Sequence, residues 1–239
     1  MANLIVDIGN IAVKASWSEG MTIGKTFRYQ GEKVRDFIFS LIEKERPQVM
    51  VISSVYQISS SDEKKYSAAC GKLHILDSAH IQLLKDHGLP EYLSYDRAAS
   101  ILASKHLFKG KAFTVFDFGT TLTVDFVDAE GHYEGGVVSL GTRTRLKALN
   151  RYSRSLPLVD IPEDAALTGN SLESSMASGV ISGIMFEING YIGLHPDNIV
   201  IFTGGDSNYF VKRMKNSIFV VCNLVLMGLA LVAANYEEN

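Results

Sequence analysis

Two aspartates carry the clearest chemical signal in this chain. Leu4-Ile5-Val6-Asp7-Ile8-Gly9-Asn10 is an apolar run that ends in Asp-x-Gly and a small polar residue, and Phe113-Thr114-Val115-Phe116-Asp117-Phe118-Gly119-Thr120 repeats the pattern. A carboxylate at a strand end can hold a hydrated cation, directly or through water. The glycine lets the backbone bend and approach a ligand with no Cβ in the way. The turn then presents amide N–H groups that bind phosphate oxygens. A lone Asp-x-Gly is ordinary turn chemistry. Two copies in matching contexts, each heading one half of the chain, suggest a duplicated domain that closes on a nucleotide.

The elements needed to position these residues can be read from periodicity. Leu4 to Val6, Val13 to Trp17 and Met21 to Arg28 read as a meander of strands. Lys33 to Lys44 has helical spacing, with Val34, Phe37, Ile38, Leu41 and Ile42 on one face. Val49 to Ser54 reads as a buried strand, Glu63 to Cys70 as a helix and Leu73 to Leu76 as a third strand. The second half repeats the order. Phe113 to Phe116, Leu122 to Val127 and Tyr133 to Val138 form its meander, with turns at Gly119 and Glu130-Gly131. Helices are expected at Arg143 to Asn150 and Ser174 to Leu194. Asn198 to Phe202 is an apolar strand running into Thr203-Gly204-Gly205. Similar order in both halves implies an α/β fold with mixed sheets and flanking helices. The boundary is expected near Lys109-Gly110-Lys111, giving domains 1–110 and 111–239.

Composition narrows the function. The chain has 239 residues and a formal net charge of -3, so it has no basic footprint for nucleic acid. Its mixed-sign charge clusters, such as Asp62-Glu63-Lys64-Lys65, read as solvated helix faces. Two cysteines, Cys70 and Cys222, lie far from any ligand-spaced partner, which fits a reducing cytoplasm and no zinc site or disulfide framework. The six histidines are scattered without metal or triad spacing. No secretion signal is expected at the N-terminus, which lacks a basic stretch followed by an apolar core. Ile218 to Ala234 is strongly apolar but shorter than the roughly 20 residues a bilayer needs. A strand at Ile218 to Val221 and a helix from Leu224 to Asn235 capped by Asn223 is the expected reading, with no membrane partner.

Further motifs make the pattern specific. In order they are Asp7-Ile8-Gly9-Asn10; Tyr95-Asp96-Arg97; Asp117-Phe118-Gly119-Thr120-Thr121 with Asp125; Gly135-Gly136-Val137-Val138; Leu156-Pro157; Gly169-Asn170-Ser171 with Ser175-Met176 and Gly179; and Thr203-Gly204-Gly205-Asp206. In this order the chain resembles the type III pantothenate kinases, members of the acetate and sugar kinase/Hsp70/actin superfamily. The resemblance implies duplicated actin-like (ribonuclease H-like) domains. It also implies transfer of the γ-phosphoryl of ATP to the primary hydroxyl of pantothenate, the first step towards coenzyme A.

The implied roles fall on named residues. Asp7, Ile8, Gly9, Asn10, Ile11, Ala12, Val13 and Lys14 form the ATP-phosphate segment, with Asp7 acting on Mg²⁺ through water and the amides of Gly9 and Asn10 holding phosphates. Thr120, Gly204 and Gly205 match nucleotide contacts. Asp117 matches the ligand of a monovalent cation, K⁺ or NH₄⁺. Asp96 matches the proton acceptor. Read alone, Asp96 is better taken as a helix cap for Ala98 to Lys105, and the order of motifs turns the reading to the proton acceptor. Ser94, Tyr95, Arg97 and Ser171 match substrate contacts, and the planar fork of Arg97 suits the pantothenate carboxylate. The family also implies a homodimer, with apolar helices of the second half at the interface. The chain departs from the family pattern at Ile11, Ser94 and Leu140, where the family prefers Thr, Gly and Pro. Two other readings follow from the same residues: a catalytically weak relative acting as an accessory nucleotide-binding protein, and a nucleotide-gated module of the Hsp70/actin type.

Overall fold

The computed structural model describes residues 2–237. The outermost positions of the two expected domains, 1, 238 and 239, lie outside the described residues. The chain divides into two compact units, Met1–Lys109 with Asn223–Asn239, and Gly110–Cys222.

The first unit starts with the meander β1 (Asn3–Ile8), β2 (Val13–Glu19) and β3 (Thr22–Tyr29). It continues through α1 (Val34–Ile42), β4 (Val49–Ser54), α2 (Ser60–Ala69), β5 (Lys72–Leu76), α3 (Gln82–Asp86) and α4 (Tyr95–Leu107). Its five-stranded sheet has the order β3-β2-β1-β4-β5. The meander pairs are antiparallel, and β1-β4 and β4-β5 are parallel.

The second unit holds β6 (Phe113–Phe118), β7 (Thr121–Val127), β8 (Tyr133–Leu140), α5 (Thr142–Tyr152), α6 (Leu172–Leu194), β9 (Ile199–Gly204), α7 (Ser207–Val211) and β10 (Ile218–Val220). Its sheet order, β10-β9-β6-β7-β8, is the first read from the other edge. The mixture of antiparallel and parallel pairs is also the same. The duplication expected from two Asp-x-Gly motifs is therefore a duplication of topology, with mixed sheets and flanking helices.

Strand alternation sets what each aspartate faces. Successive side chains on a strand point to opposite faces. Leu4, Val6 and Ile8 of β1 join Ile38 and Tyr66 in one core, leaving Asp7 on the other face. Phe116 and Phe118 of β6 join Phe202 and Phe210 in the second unit's core, with Asp117 between them on the opposite face. Phe118 lies 4.8 Å edge-on from Phe202 and stacks on Phe210 at 5.0 Å. Such pairs add about 0.5–1.5 kcal/mol each beyond burial, so the floor beneath Asp117 is stiff.

The last helix, α8 (Leu224–Glu237), belongs to the first unit, although it follows the second in the chain. The expected second domain of 111–239 is corrected at this point. The helix packs on α4, β1 and β4. Its position requires a residue without a side chain, because a Cβ at Gly228 would stand 2.0 Å from the Ala99 carbonyl oxygen. The apolar stretch 218–234 thus divides into a strand of one unit and a helix of the other. No helix among the described residues is long and apolar enough to cross a membrane. Asn223, expected as the cap, accepts the Met227 N–H on its carbonyl, and its side-chain amide donates to Thr26 Oγ1.

Candidate active site

In each unit the aspartate stands at the carboxyl end of the central strand, beside the end of its parallel neighbour. Asp7 pairs across the ladder with Ser53, and Asp117 with Thr203. Ligands of open α/β sheets collect outside the carboxyl ends of the strands. The turns that follow differ. Gly9 N–H donates to the Ala12 carbonyl (3.1 Å), and Gly119 N–H donates to the Thr121 carbonyl (2.9 Å), so the first turn is one residue longer. The Gly9 amide, expected to face a phosphate, is instead committed to closing its own turn. Asn10 and Ile11 are exposed at the tip, Ile11 at 61%. Ile8 and Val13 are buried in the core, so only their backbone can serve a ligand, and Lys14 pairs with Asp7 across β1-β2.

Asp7 is buried and Asp117 half-buried. Gly204 lies directly against Asp117. Its φ of +89° is left-handed, and a Cβ there would meet Asp117 Oδ1 at 2.4 Å and the Phe118 carbonyl oxygen at 2.5 Å. Glycine is the residue that lets the end of β9 run this close to the carboxylate. The Asp206 N–H donates to the Phe118 carbonyl, as the Val55 N–H does to that of Ile8. The duplication therefore extends to the hydrogen bonds that close both strand ends.

Thr120 is tied to α5. Its carbonyl accepts the Gly141 N–H (3.0 Å) and the Thr144 hydroxyl (2.7 Å). Arg145 anchors the start of that helix: Nε donates to the Leu140 carbonyl, and its two terminal nitrogens grip Glu187 of α6 at 2.7 and 2.8 Å. This is the bidentate geometry that makes arginine pairs strong.

Asp96 and Arg97 occupy the first turn of α4. The cap position is Ser94, with no side-chain cap hydrogen bond, so Asp96 is a helical residue and not the cap. Its Oδ1 accepts the N–H of Arg97 at 2.8 Å. Ser94 has φ -68°, so glycine is not required at this departure from the family pattern. Arg97 is buried rather than a surface residue. The Tyr95 hydroxyl donates to the His80 carbonyl, and burial followed by the charge of Asp77 pushes its pKa up.

Ser171 caps α6, which begins at Leu172, two residues before the expected start. Its Oγ accepts the Ser174 N–H, and its own N–H donates to Ser174 Oγ at 2.9 Å, forming a capping box. The Ser-x-x-Ser spacing carried that signal in the sequence, with serine where Glu or Gln is usual.

At the carboxyl edge of the first unit's sheet Asp7 stands beside Ser53, and at that of the second Asp117 stands beside Thr203 and Gly204, with Thr120 in the turn after β6. Ser171 stands at the N-cap of α6. A residue that sequence reading missed is Asp77, which directly follows β5 and is fully buried. The donors at both edges are hard oxygens, and no cluster of three or more His, Cys, Asp or Glu suited to a metal occurs among the described residues. That chemistry suits Mg²⁺, which takes one or two carboxylates and completes its shell with water and substrate phosphates.

Residues 3–193 match the family model described as type III pantothenate kinase. The chain belongs to the type III pantothenate kinase family. A type III pantothenate kinase of Flavobacterium psychrophilum is 31% identical over 231 residues, covering 95% of this chain and 96% of the relative. One of Cytophaga hutchinsonii is 33% identical over 234 residues, with the same coverage. Among solved structures, a Campylobacter jejuni protein assigned to a Baf family of transcriptional activators shares the fold with a TM-score of 0.64 at 19% identity, covering 99% of this chain and 100% of that one. A ROK-family glucokinase from Streptomyces griseus, solved with glucose and AMPPNP, has a TM-score of 0.52 at 13% identity, covering 98% and 100%.

Proposed function

We propose that this chain transfers the γ-phosphoryl group of ATP to the primary hydroxyl of pantothenate, the first step towards coenzyme A. The observation that carries the reading is the family match across 3–193, joined to an acidic residue at each place the family motif requires one. The accessory-protein reading is not favoured, because the curated relatives carry the kinase name.

Phosphoryl transfer requires little covalent chemistry from the protein. It requires the attacking and leaving oxygens in line and compensation of spread negative charge. The Asp96 carboxylate takes the proton of the pantothenate hydroxyl as its oxygen bonds to the γ-phosphorus and the bond to ADP breaks. Arg97, Ser94, Tyr95 and Ser171 orient pantothenate. Arg97, buried and always charged, meets its carboxylate. The Asn10–Lys14 segment, Thr120, Gly204 and Gly205 hold the nucleotide. Asp7 would hold Mg²⁺ through water, and Asp117 a monovalent cation. These ions supply charge compensation on the phosphates.

The reading includes a homodimer in the cytoplasm. Its support is an apolar surface on α5 and α6 around a cavity of about 760 Å³, lined by Leu140, Ala148, Leu149, Tyr152, Leu172 and Met176 among others. Tyr152 there is 84% exposed. Two free cysteines, one buried and one exposed, suit a reducing compartment. A coupled ADP-release assay with pantothenate, Mg²⁺ and K⁺ tests the activity. Pantothenate-dependent turnover is expected, and a folded protein that shows none overturns the proposal.

A further inference from the structure

Asp77 serves no role in the reading above, yet three groups hold its carboxylate at once. It is fully buried. Its Oδ2 accepts the Ile58 N–H at 2.8 Å. Its Oδ1 accepts the Ala79 N–H at 3.0 Å and contacts His80 Nδ1 at 2.7 Å. The His80 N–H also donates to the Asp77 carbonyl at 2.9 Å. Burial alone would push this carboxyl up, but the hydrogen bonds from Ile58, His80 and Ala79 together hold it below its ordinary range. The result is a rigid turn over residues 77–80, ending in a carbonyl of fixed direction. That carbonyl, on His80, receives the hydroxyl of Tyr95. Tyr95 is the first residue of α4 and directly precedes Asp96.

Two features make this more than a buried turn. The α4 cap, Ser94, makes no side-chain cap bond, so the usual lock on a first helical turn is missing. The turn also stands at the catalytic edge of the sheet. Leu76 pairs with Ser53, and Ser53 pairs with Asp7, which places Asp77 about 10 Å along the edge from Asp7, two strand spacings away.

We propose that Asp77 and Tyr95 form a positioning relay for Asp96: the Asp77 carboxylate fixes the 77–80 turn, the His80 carbonyl fixes the Tyr95 hydroxyl, and that anchor sets the first turn of α4. The proposal rests on the assignment of Asp96 as proton acceptor. Asp77 touches neither substrate nor reacting atoms. It acts by holding the base within the fraction of an ångström that catalysis tolerates, where a shift of about 1 Å costs on the order of 100-fold.

The test is a double-mutant cycle of Asp77→Asn and Tyr95→Phe with two readouts. The first is kcat and KM for pantothenate and ATP, per folded enzyme. The second is amide hydrogen exchange at Ala98 and Ala99 against that at Ile101 to Ser104. Each single variant is expected to lower kcat about tenfold or more, leaving KM for ATP within about twofold. The double variant is expected to be no worse than either single one, because residues acting in one chain are not additive. Exchange at the start of α4 is expected to rise about tenfold with the middle of the helix unchanged. Wild-type exchange at Ala98 and Ala99 in both single variants overturns the relay whether or not the protein is a kinase. Additive losses, or unchanged kcat in an active protein, also overturn it. If Asp77→Asn fails to fold, Tyr95→Phe, which keeps the buried ring, decides by the exchange readout. A wild type without pantothenate-dependent turnover sinks the function and leaves the exchange result to judge the relay.

Discussion

Gly204→Ala is a small change with two separable costs. The residue sits at φ +89°, where an L side chain is strained by roughly 1–2 kcal/mol. The new Cβ would also stand 2.4 Å from Asp117 Oδ1, 2.5 Å from the Phe118 carbonyl oxygen and 2.6 Å from the Phe118 amide nitrogen. Two of these neighbours belong to the backbone of a central strand floored by the Phe116-Phe118-Phe202-Phe210 cluster, so they cannot swing aside. Forcing atoms into such a packed site costs about 1–3 kcal/mol. The sum, about 2–5 kcal/mol, corresponds to a Tm lower by roughly 5–15 °C for a chain of this size. The third neighbour is the carboxylate proposed to hold a monovalent cation. Its displacement should raise the K⁺ concentration for half-maximal activity by about tenfold. Thermal melts followed by circular dichroism, and ADP release against K⁺, measure both effects. A variant that melts within about 1 °C of wild type would refute the account of this strand end. One that melts lower but keeps its K⁺ response would leave the packing argument and remove Asp117 from the cation site.

Ser171→Ala should lose the cap of α6, worth about 1 kcal/mol, and lower Tm by about 2–4 °C. If Ser171 also touches pantothenate, KM for pantothenate rises as well and Ser171→Thr restores both; an unchanged KM assigns Ser171 to the cap alone. A pH test concerns Tyr66, whose pKa is pushed up to about 12 by burial, then by the charges of Asp62 and Tyr56. Its folded value lies above its unfolded value, so its contribution is complete below about pH 10 and is lost as pH rises through about 12. The unfolding free energy from urea titrations between pH 9 and 12 should fall by on the order of 2 kcal/mol from this group, and Tyr66→Phe should flatten the fall. An equal slope in the variant would contradict it.

What the sequence revealed and what it hid have physical reasons. The strands carrying Asp7 and Asp117 were legible because a buried strand ending in Asp-x-Gly changes from continuous apolar residues to turn chemistry in a single step. The repeat of that step in two halves disclosed the duplicated topology. The side chosen by α8 was not legible. A helix apolar on nearly every face does not show which sheet it covers, and the contact that decides the matter, Gly228 on Ala99, joins residues far apart in the chain. Helices α3 and α7 have five residues each, too few for a helical period to show. In the sequence the Gly9 amide reads as a phosphate donor because sequence indicates that a turn exists but not which carbonyl closes it. Asp77 was missed for a related reason. An aspartate after a strand is usual turn chemistry, and only the Tyr95 hydroxyl on the same turn, across fifteen residues, gives it a second meaning.

The central claim is that Asp96 accepts the proton of the pantothenate hydroxyl. Asp96→Asn keeps the size and polarity of the side chain and removes its basicity. Pantothenate-dependent ADP release at saturating ATP, Mg²⁺ and K⁺ should fall by about 10²–10⁴-fold in this variant, with ATP affinity and Tm unchanged. A variant that turns over pantothenate at close to the wild-type rate would contradict the account.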